Sequence, residues 1–239
     1  MTAHPRTALV LPCFNEKGKI GAAVRGARRE IVDAVVVVDD GSTDGSADEA
    51  REAGATVLLH ERNRGVGAAL RTGFRWAREQ GYETLVVMGG DNQDLHAEMD
   101  GVVGPVWAGT HDFVQGSRRI GGTRTVNMTL FRRVSTKFYT WLFRITTGFA
   151  ATDGSNGYRA FRAALLDDPQ IKLDQDWLDR YELEPYLFYQ AVRRGYRVCE
   201  APVTKVYHAK EVGFSKMVPI LDWWRLMRPL IYLRLGLRK

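Results

Sequence analysis

The strongest constraint on this chain is an alternation of short apolar runs with helical patterns over its first half. Ala8 to Phe14, Val35 to Asp39, Thr56 to Leu59, Thr84 to Met88 and Phe113 to Gln115 read as strands. Gly18 to Arg29, Ser46 to Ala53, Val66 to Glu79 and Ala97 to Trp107 read as the helices between them. Such βα alternation predicts an α/β fold, a doubly wound and mostly parallel sheet with helices on both faces, and it places ligands at the carboxyl ends of the strands. Polar motifs stand at four of those ends: Asn15-Glu16, Asp39-Asp40-Gly41-Ser42, Asp91-Asn92-Gln93 and Gly116-Ser117-Arg118.

A length of 239 residues, 45% hydrophobic and 26% charged, supports a full core and excludes a disordered chain. The longest stretch free of Asp, Glu, Lys and Arg, Gly101 to His111, falls well short of the roughly 17–25 apolar residues of a spanning helix. No leader pattern opens the chain, and two cysteines are too few for a disulfide framework, so a cytoplasmic setting is expected. Charge is unevenly placed. Ser117 to Gly148 carries +7 and Lys205 to Lys239 carries +6, which leaves −7 on the remainder of a chain whose net charge is +6. Two basic segments on an acidic body suit anionic partners such as a diphosphate, a lipid phosphate or the anionic inner face of a membrane. No nucleic-acid motif accompanies them, so nucleic acid is not expected as a partner.

Beyond Arg118 a helix is expected over Val126 to Ile145, with Val126, Leu130, Val134, Phe138, Trp141 and Ile145 on one face. That stripe suits either a core helix or a surface for an amphipathic acceptor or a membrane interface. The tail from Met217 to Leu237 sets Trp223, Trp224 and Tyr232 among Arg225, Arg228 and Arg234, and Pro229 should divide it into two short helices. It too can serve packing or interfacial binding.

The turn from Asp39 to Gly45 offers short acceptors and a position for positive φ, a geometry suited to a nucleoside's N–H and hydroxyl groups. It also suits an N-cap at Thr43 or Asp44. Gly65 to Leu70 lacks the third glycine of a dinucleotide loop and does not follow the first strand. Asp91 and the Gln93 carbonyl are oxygen ligands that fit Mg²⁺ or Mn²⁺, or else Asp91 caps a polar turn. Arg118 can grip a phosphate by its fork or lie on the surface. His208 is a further metal ligand or a structural histidine. Asp153 or Glu184 is a candidate general base where the acceptor is a hydroxyl. Glu182 and Glu184, two apart on a helix, do not share a face, so at most one should point inward.

Together with Pro12-Cys13-Phe14-Asn15-Glu16, Asn63-Arg64-Gly65-Val66-Gly67, Asp153-Gly154-Ser155-Asn156-Gly157-Tyr158-Arg159, Glu200-Ala201-Pro202-Val203 and Gly213-Phe214-Ser215-Lys216, these motifs resemble the family-2 glycosyltransferases of GT-A fold, most closely their dolichol- or polyprenyl-phosphate sugar transferase branch. The resemblance implies that Asp39 and Glu16 contact base and ribose, with Pro12 and Asn15 beside them, Gly65 walling the nucleotide pocket and Arg118 at the phosphates. It implies a metal motif at Asp91 and Gln93 in which Gly89 stands where the family has its first aspartate. Arg132, Arg133 and Ser135 match the family's basic-plus-serine helix approximately. The family's arginine ahead of Gly-x-Ser-Lys is missing, leaving Lys210, His208 and Lys216. The implied protein is one glycosyltransferase domain: residues 1–118 hold the nucleotide sugar, 119–204 face the acceptor, and 205–239 form a basic amphipathic tail. The implied reaction is inverting transfer of a hexose from a GDP- or UDP-linked donor to polyprenyl phosphate, by in-line displacement assisted by Mg²⁺ or Mn²⁺. Alternatives are the same donor chemistry on a soluble hydroxyl acceptor, such as a saccharide or natural-product intermediate, and a non-catalytic module that binds nucleotide sugar or membrane.

Overall fold

The computed structural model describes residues 4–121, 125–207 and 220–238, so His208, Lys210, Lys216 and the Gly213 to Lys216 motif lie outside the described residues. Strands β1 (Thr7–Cys13), β2 (Ala34–Asp39), β3 (Thr56–Leu59), β4 (Thr84–Val87) and β5 (Phe113–Ser117) match the expected runs. Between them lie α1 (Ile20–Arg25), α2 (Ser46–Glu52), α3 (Val66–Glu79) and α4 (Met99–Trp107). Then follow β6 (Thr125–Val126), α5 (Leu130–Thr147), β7 (Arg159–Arg162), α6 (Leu183–Arg193), β8 (Val198–Pro202), β9 (Lys205–Val206) and α7 (Leu221–Arg234).

Seven strands form one sheet in the order β3-β2-β1-β4-β7-β5-β8, and β6 pairs with β9 apart from it. All pairings in the large sheet are parallel except those of β7, which runs antiparallel to both β4 and β5. Strand alternation assigns the two cores. Ala8, Val10, Val36, Leu85, Val87 and Phe113 face α3, α5 and α6, while Leu9, Leu11, Val35, Val37, Val86 and Val114 face α1 and α4. Both sets are buried, which accounts for near-continuous apolar strands.

Of the two readings of the α5 stripe, the structure shows the surface one. Val126 belongs to β6, and the apolar stripe Leu130, Val134, Phe138, Trp141 and Ile145 faces solvent, each residue at least half exposed. The buried side is Thr136, Tyr139, Thr140, Phe143, Thr146 and Thr147. Threonine goes inward without penalty because its hydroxyl donates to a carbonyl one turn back: Thr140 to Thr136 at 2.8 Å, Thr146 to Leu142 at 2.9 Å and Thr147 to Phe143 at 2.7 Å. Thr129 caps the start by accepting from the Arg132 N–H.

The expected break at Pro229 does not occur, and α7 continues through it. Pro229 and Leu230 are buried, and Arg228 pairs with the buried Glu182 at 2.5 Å, so packing against the body holds the helix across the lost hydrogen bond. At the start of α2 the cap is Gly45, φ +91°, rather than Thr43 or Asp44. Asp44 instead accepts from the N–H groups of Lys17 and Ser46.

Helix α3 lies close on β1 because Gly73 carries no side chain. A Cβ there would sit 2.5 Å from Val10 Cγ1, inside a fully buried strand. Gly73→Ala is therefore expected to destabilise the fold by about 1–3 kcal/mol, the cost of overpacking, measured as a lower denaturant midpoint at unchanged slope.

Candidate functional site

A cavity of about 490 Å³ opens at the carboxyl ends of β1, β2 and β4, bounded on its far side by α5, α6 and α7. Of the residues anticipated from sequence, Pro12, Glu16, Gly65, Asp91, Gln93, Arg118 and Glu184 line it. Asn15, Asp39 and Asp153 do not. The lining also includes Asp40 and Arg132, both in motifs singled out from the sequence, and Lys19, Arg180, Lys205, Tyr207, Trp223 and Arg225, which sequence reasoning did not place there; Arg133 is exposed and outside it.

Asn15, at φ 51°, acts on the backbone: its Oδ1 accepts from Thr43 N and its N–H donates to Ser42 Oγ, tying the loop after β1 to the turn after β2. Asp39 is buried beneath that turn. Its Oδ1 accepts from Ser42 N at 2.8 Å, and its Oδ2 has no hydrogen-bond partner among the described residues. Asp40 accepts from Arg64 N and Gly65 N and is 2.7 Å from His60 Nδ1, which locks the start of α3 to the end of β2. Gly65 has φ +107°, and a Cβ there would fall 2.4 Å from the Asp179 carbonyl oxygen. Cys13 is no nucleophile, because burial and Asp39 push its thiol up to about 12.

Arg118 is not a free phosphate fork. Its Nε and Nη2 grip Asp153 Oδ2 and Oδ1 at 2.6 and 2.8 Å, Nη1 donates to the Tyr207 hydroxyl at 2.7 Å, and Nη2 also reaches Ser155 Oγ at 2.8 Å. Asp153 is wholly buried, and although burial alone would raise its pKa, Arg118 holds it below the ordinary carboxylate range. Asp153 is thus a counter-ion, walled from the cavity, and the role of general base does not fit it. Glu184 does face the cavity, with Oε1 3.1 Å from the buried Arg159 guanidinium. Glu182 also points inward, toward α7, so both carboxylates are inward in different directions; the helix begins at Leu183, and Glu182 is its cap residue.

Residues 8–168 match the family model described as glycosyl transferase family 2. The chain belongs to that family. It is 33% identical to an undecaprenyl-phosphate mannosyltransferase of Micrococcus luteus, over 89% of this chain and 87% of that protein. It is 32% identical to the polyprenol monophosphomannose synthase of Mycolicibacterium smegmatis, over 89% and 81%. Among solved structures, glucosyl-3-phosphoglycerate synthase from Mycobacterium tuberculosis, in complex with Mn²⁺, uridine diphosphate and glucosyl-3-phosphoglycerate, superposes with a TM-score of 0.70 at 17% identity, covering 98% of this chain and 81% of that one. The fold is GT-A, and the protein is a glycosyltransferase.

The Mn²⁺ in that solved structure raises the question whether this glycosyltransferase's own residues fit a divalent ion. Gly89 supplies no carboxylate, and a Cβ there would lie 2.8 Å from Asp91 Oδ1. Asp94, next along the loop, is buried, and its Oδ2 accepts from Gly89 N at 3.1 Å and from Lys205 Nζ at 2.9 Å. The same ammonium is 4.0 Å from Asp91 Oδ1. Burial alone would lower the Lys205 pKa, but Asp94 and Asp91 outweigh it and raise it, so the group is charged at neutral pH. With this ammonium between them the two loop carboxylates carry a combined charge of −1 rather than −2, and the Asp94 oxygen that would face a cation is already taken by Lys205. Among the described residues no three His, Cys, Asp or Glu side chains form a metal site. As built, the loop does not fit a divalent ion, and His208 lies outside the described residues.

The Arg118–Asp153 pair yields a test. Asp153→Ala strands a buried guanidinium and is expected to cost about 3–5 kcal/mol of stability by denaturant titration. The depressed Asp153 pKa gives the sign of the acid response: its contribution is present at neutral pH and is lost as pH falls below the unfolded value of about 3.9 toward the lower folded one.

Proposed function

We propose that this glycosyltransferase moves a hexose from a nucleoside diphosphate sugar to a polyprenyl phosphate at a membrane surface, with inversion at the anomeric carbon. The observation that carries the reading is the continuity between cavity and apolar surface. Arg132 and Thr136 of α5 line the cavity, while Leu130, Phe131, Val134, Phe138, Trp141 and Ile145 of the same helix are exposed. Phe131 packs edge-on against Trp223 of α7, itself in the lining, and Trp224 and Leu221 extend the apolar surface. A phosphate on a long isoprenoid suits that arrangement, with the anion among the cavity's cations and the hydrocarbon along the helix. The relatives named above as polyprenyl-phosphate mannosyltransferases support the same acceptor class.

The donor would lie toward β1 and β2. The Glu16 carboxylate at the lining supplies acceptors for ribose hydroxyls, Asp39 holds the adjoining turn from beneath through Ser42 N, and Lys19, Arg180 and Lys205 supply positive charge for the diphosphate. A phosphate acceptor is already ionised, so attack needs no general base, and Glu184 is left to orient sugar hydroxyls. No helix among the described residues is long and apolar enough to cross a membrane, so the acceptor is met at the interface, by the inner face of the bilayer on this reading.

Release of nucleoside diphosphate from GDP- and UDP-sugars is expected with undecaprenyl phosphate in anionic vesicles and not with water alone. The double change Phe138→Asp and Trp141→Asp lies on the exposed face and leaves the core intact. It is expected to reduce vesicle co-sedimentation and lipid-dependent turnover about tenfold or more, while nucleoside diphosphate affinity stays unchanged. Equal turnover with a soluble hydroxyl acceptor and no vesicle binding would overturn the lipid reading.

Beneath the turn that borders the cavity, Asp39→Ala removes the acceptor of Ser42 N and is expected to weaken nucleoside diphosphate binding by about 1–3 kcal/mol, the value of a buried partner lost, as read by calorimetry.

A further inference from the structure

The loop that follows β4 is where the cavity's electrostatics depart from a metal site, and a lysine has entered it. Lys205 is not a wandering surface cation: only 12% of its side chain is exposed. Backbone pairing fixes its position. Asp94 and Lys205 form an isolated antiparallel bridge, Val206 N donates to the Gln93 carbonyl at 2.9 Å, and β9 pairs with β6 in register Lys205 to Thr125. Just upstream, Thr204 N donates to Glu98 Oε2 at 2.6 Å. The chain thus delivers one ammonium between Asp94, at 2.9 Å, and Asp91, at 4.0 Å, with the side chain lining the cavity.

The other cations of the lining are differently occupied. Arg118 is held by Asp153, Lys19 by Glu16 at 2.9 Å and Arg225 by Asp222 at 2.7 Å, Arg132 lies over the Tyr207 ring at 4.7 Å, and Arg180 donates to Asn63 Oδ1 at 3.4 Å. Lys205 is the cation built into the Asp91 loop itself. We propose that Lys205 is the resident cation of the donor site, its ammonium bound to the loop carboxylates and touching the diphosphate of the nucleotide sugar, so that donor binding and departure of the diphosphate proceed without a divalent ion. This rests on reading the cavity as a nucleotide-sugar site.

The step balances without proton transfer at Lys205. The anomeric carbon–oxygen bond breaks with its electron pair passing to the β-phosphate oxygen, the ionised acceptor oxygen supplies the new pair, and the ammonium keeps all its protons while neutralising the growing charge. Lysine suits the position as a compact charge with rotatable donors, one serving Asp94 and others available to the phosphate.

Two readouts test the inference on the full chain: calorimetric affinity for GDP and UDP in excess EDTA or in Mn²⁺, and uptake of Mn²⁺ followed by electron paramagnetic resonance without nucleotide. For the wild type, the affinity for the nucleotide that binds is expected to differ less than about threefold between EDTA and Mn²⁺, and free Mn²⁺ is expected to keep its signal. Lys205→Met is expected to weaken binding in EDTA about tenfold or more, and to take up Mn²⁺ on the released Asp91 and Asp94. A larger loss on chelation of the wild type, Mn²⁺ uptake by the wild type, or a smaller effect of Lys205→Met overturns it. If neither nucleotide binds under any condition, the nucleotide-sugar reading has failed and the inference with it, while Mn²⁺ uptake by the variant alone would still show that Lys205 excludes the ion. Should Lys205→Met fail to fold because Asp94 is left buried and unpaired, the wild-type chelation and resonance measurements decide alone.

Discussion

The cavity's far wall depends on a buried ionic lattice centred on Arg118 and Asp153. Arg118 leaves the end of β5, Asp153 lies in the loop before β7, and their two-point contact is extended by Glu200 of β8, which accepts from Thr152 N and Asp153 N and from the Thr152 hydroxyl at 2.8 Å. Arg119 reaches back from the same strand end to Thr136 and Thr140 on α5. Strand end, loop and helix are thereby fastened in one network whose members lie mostly out of water. Such a lattice contributes little net stability over an apolar equivalent, but it admits only one arrangement of its parts, and removing one member exposes the cost of all the others. Its value to this protein is positional: it sets Tyr207, Ser155 and α5 around the cavity.

The opposite side of the cavity is built by backbone. Glycines at 65 and 67 let the first turn of α3 run against the carbonyls of 178–180, and the Ala68 N–H donates to the Asp179 carbonyl at 2.9 Å. The parallel strands β1, β2 and β4 bring their carboxyl ends to one edge, and the side-chain oxygens of Asp40, Asn15 and Asp44, accepting from the backbone N–H groups of Arg64, Thr43 and Lys17, then knit the loops that leave them. The result is a side held by backbone hydrogen bonds, facing a side made of two helices with apolar outer surfaces.

Much of this was legible in the sequence. Strands β1 to β5 are apolar runs bounded by polar turns, and the motifs at their ends do reach the cavity edge. Strand β7 was not legible, because Arg159-Ala-Phe-Arg162 is short and begins with a charge; only the fold shows that Arg159 is buried with its guanidinium spent on the carbonyls of Asn156, Gly157 and Glu184. The stripe on α5 was visible, but its direction was not, since periodicity cannot tell an apolar face turned to the core from one turned to the surface when the opposite face carries self-satisfied threonines. Arg118 and Asp153 were singled out as separate chemical groups, and their partnership is a tertiary fact 35 residues apart. Lys205 escaped for a similar reason: in sequence it is one cation in a basic tail, and its burial follows from a two-residue strand that no propensity signals.

Strand β7 also fixes a distance. Among the described residues it is the sole antiparallel member of the large sheet, and it stands between β4 and β5. With neighbouring strands about 4.8 Å apart, the Asp91 loop at the end of β4 and Arg118 at the end of β5 issue from points about two spacings, or roughly 10 Å, from each other. That gauge belongs to the strand order, so no side-chain substitution narrows it. Variation in what this enzyme accepts must come from the loops that lean into the gap, while the gap itself is inherited with the topology.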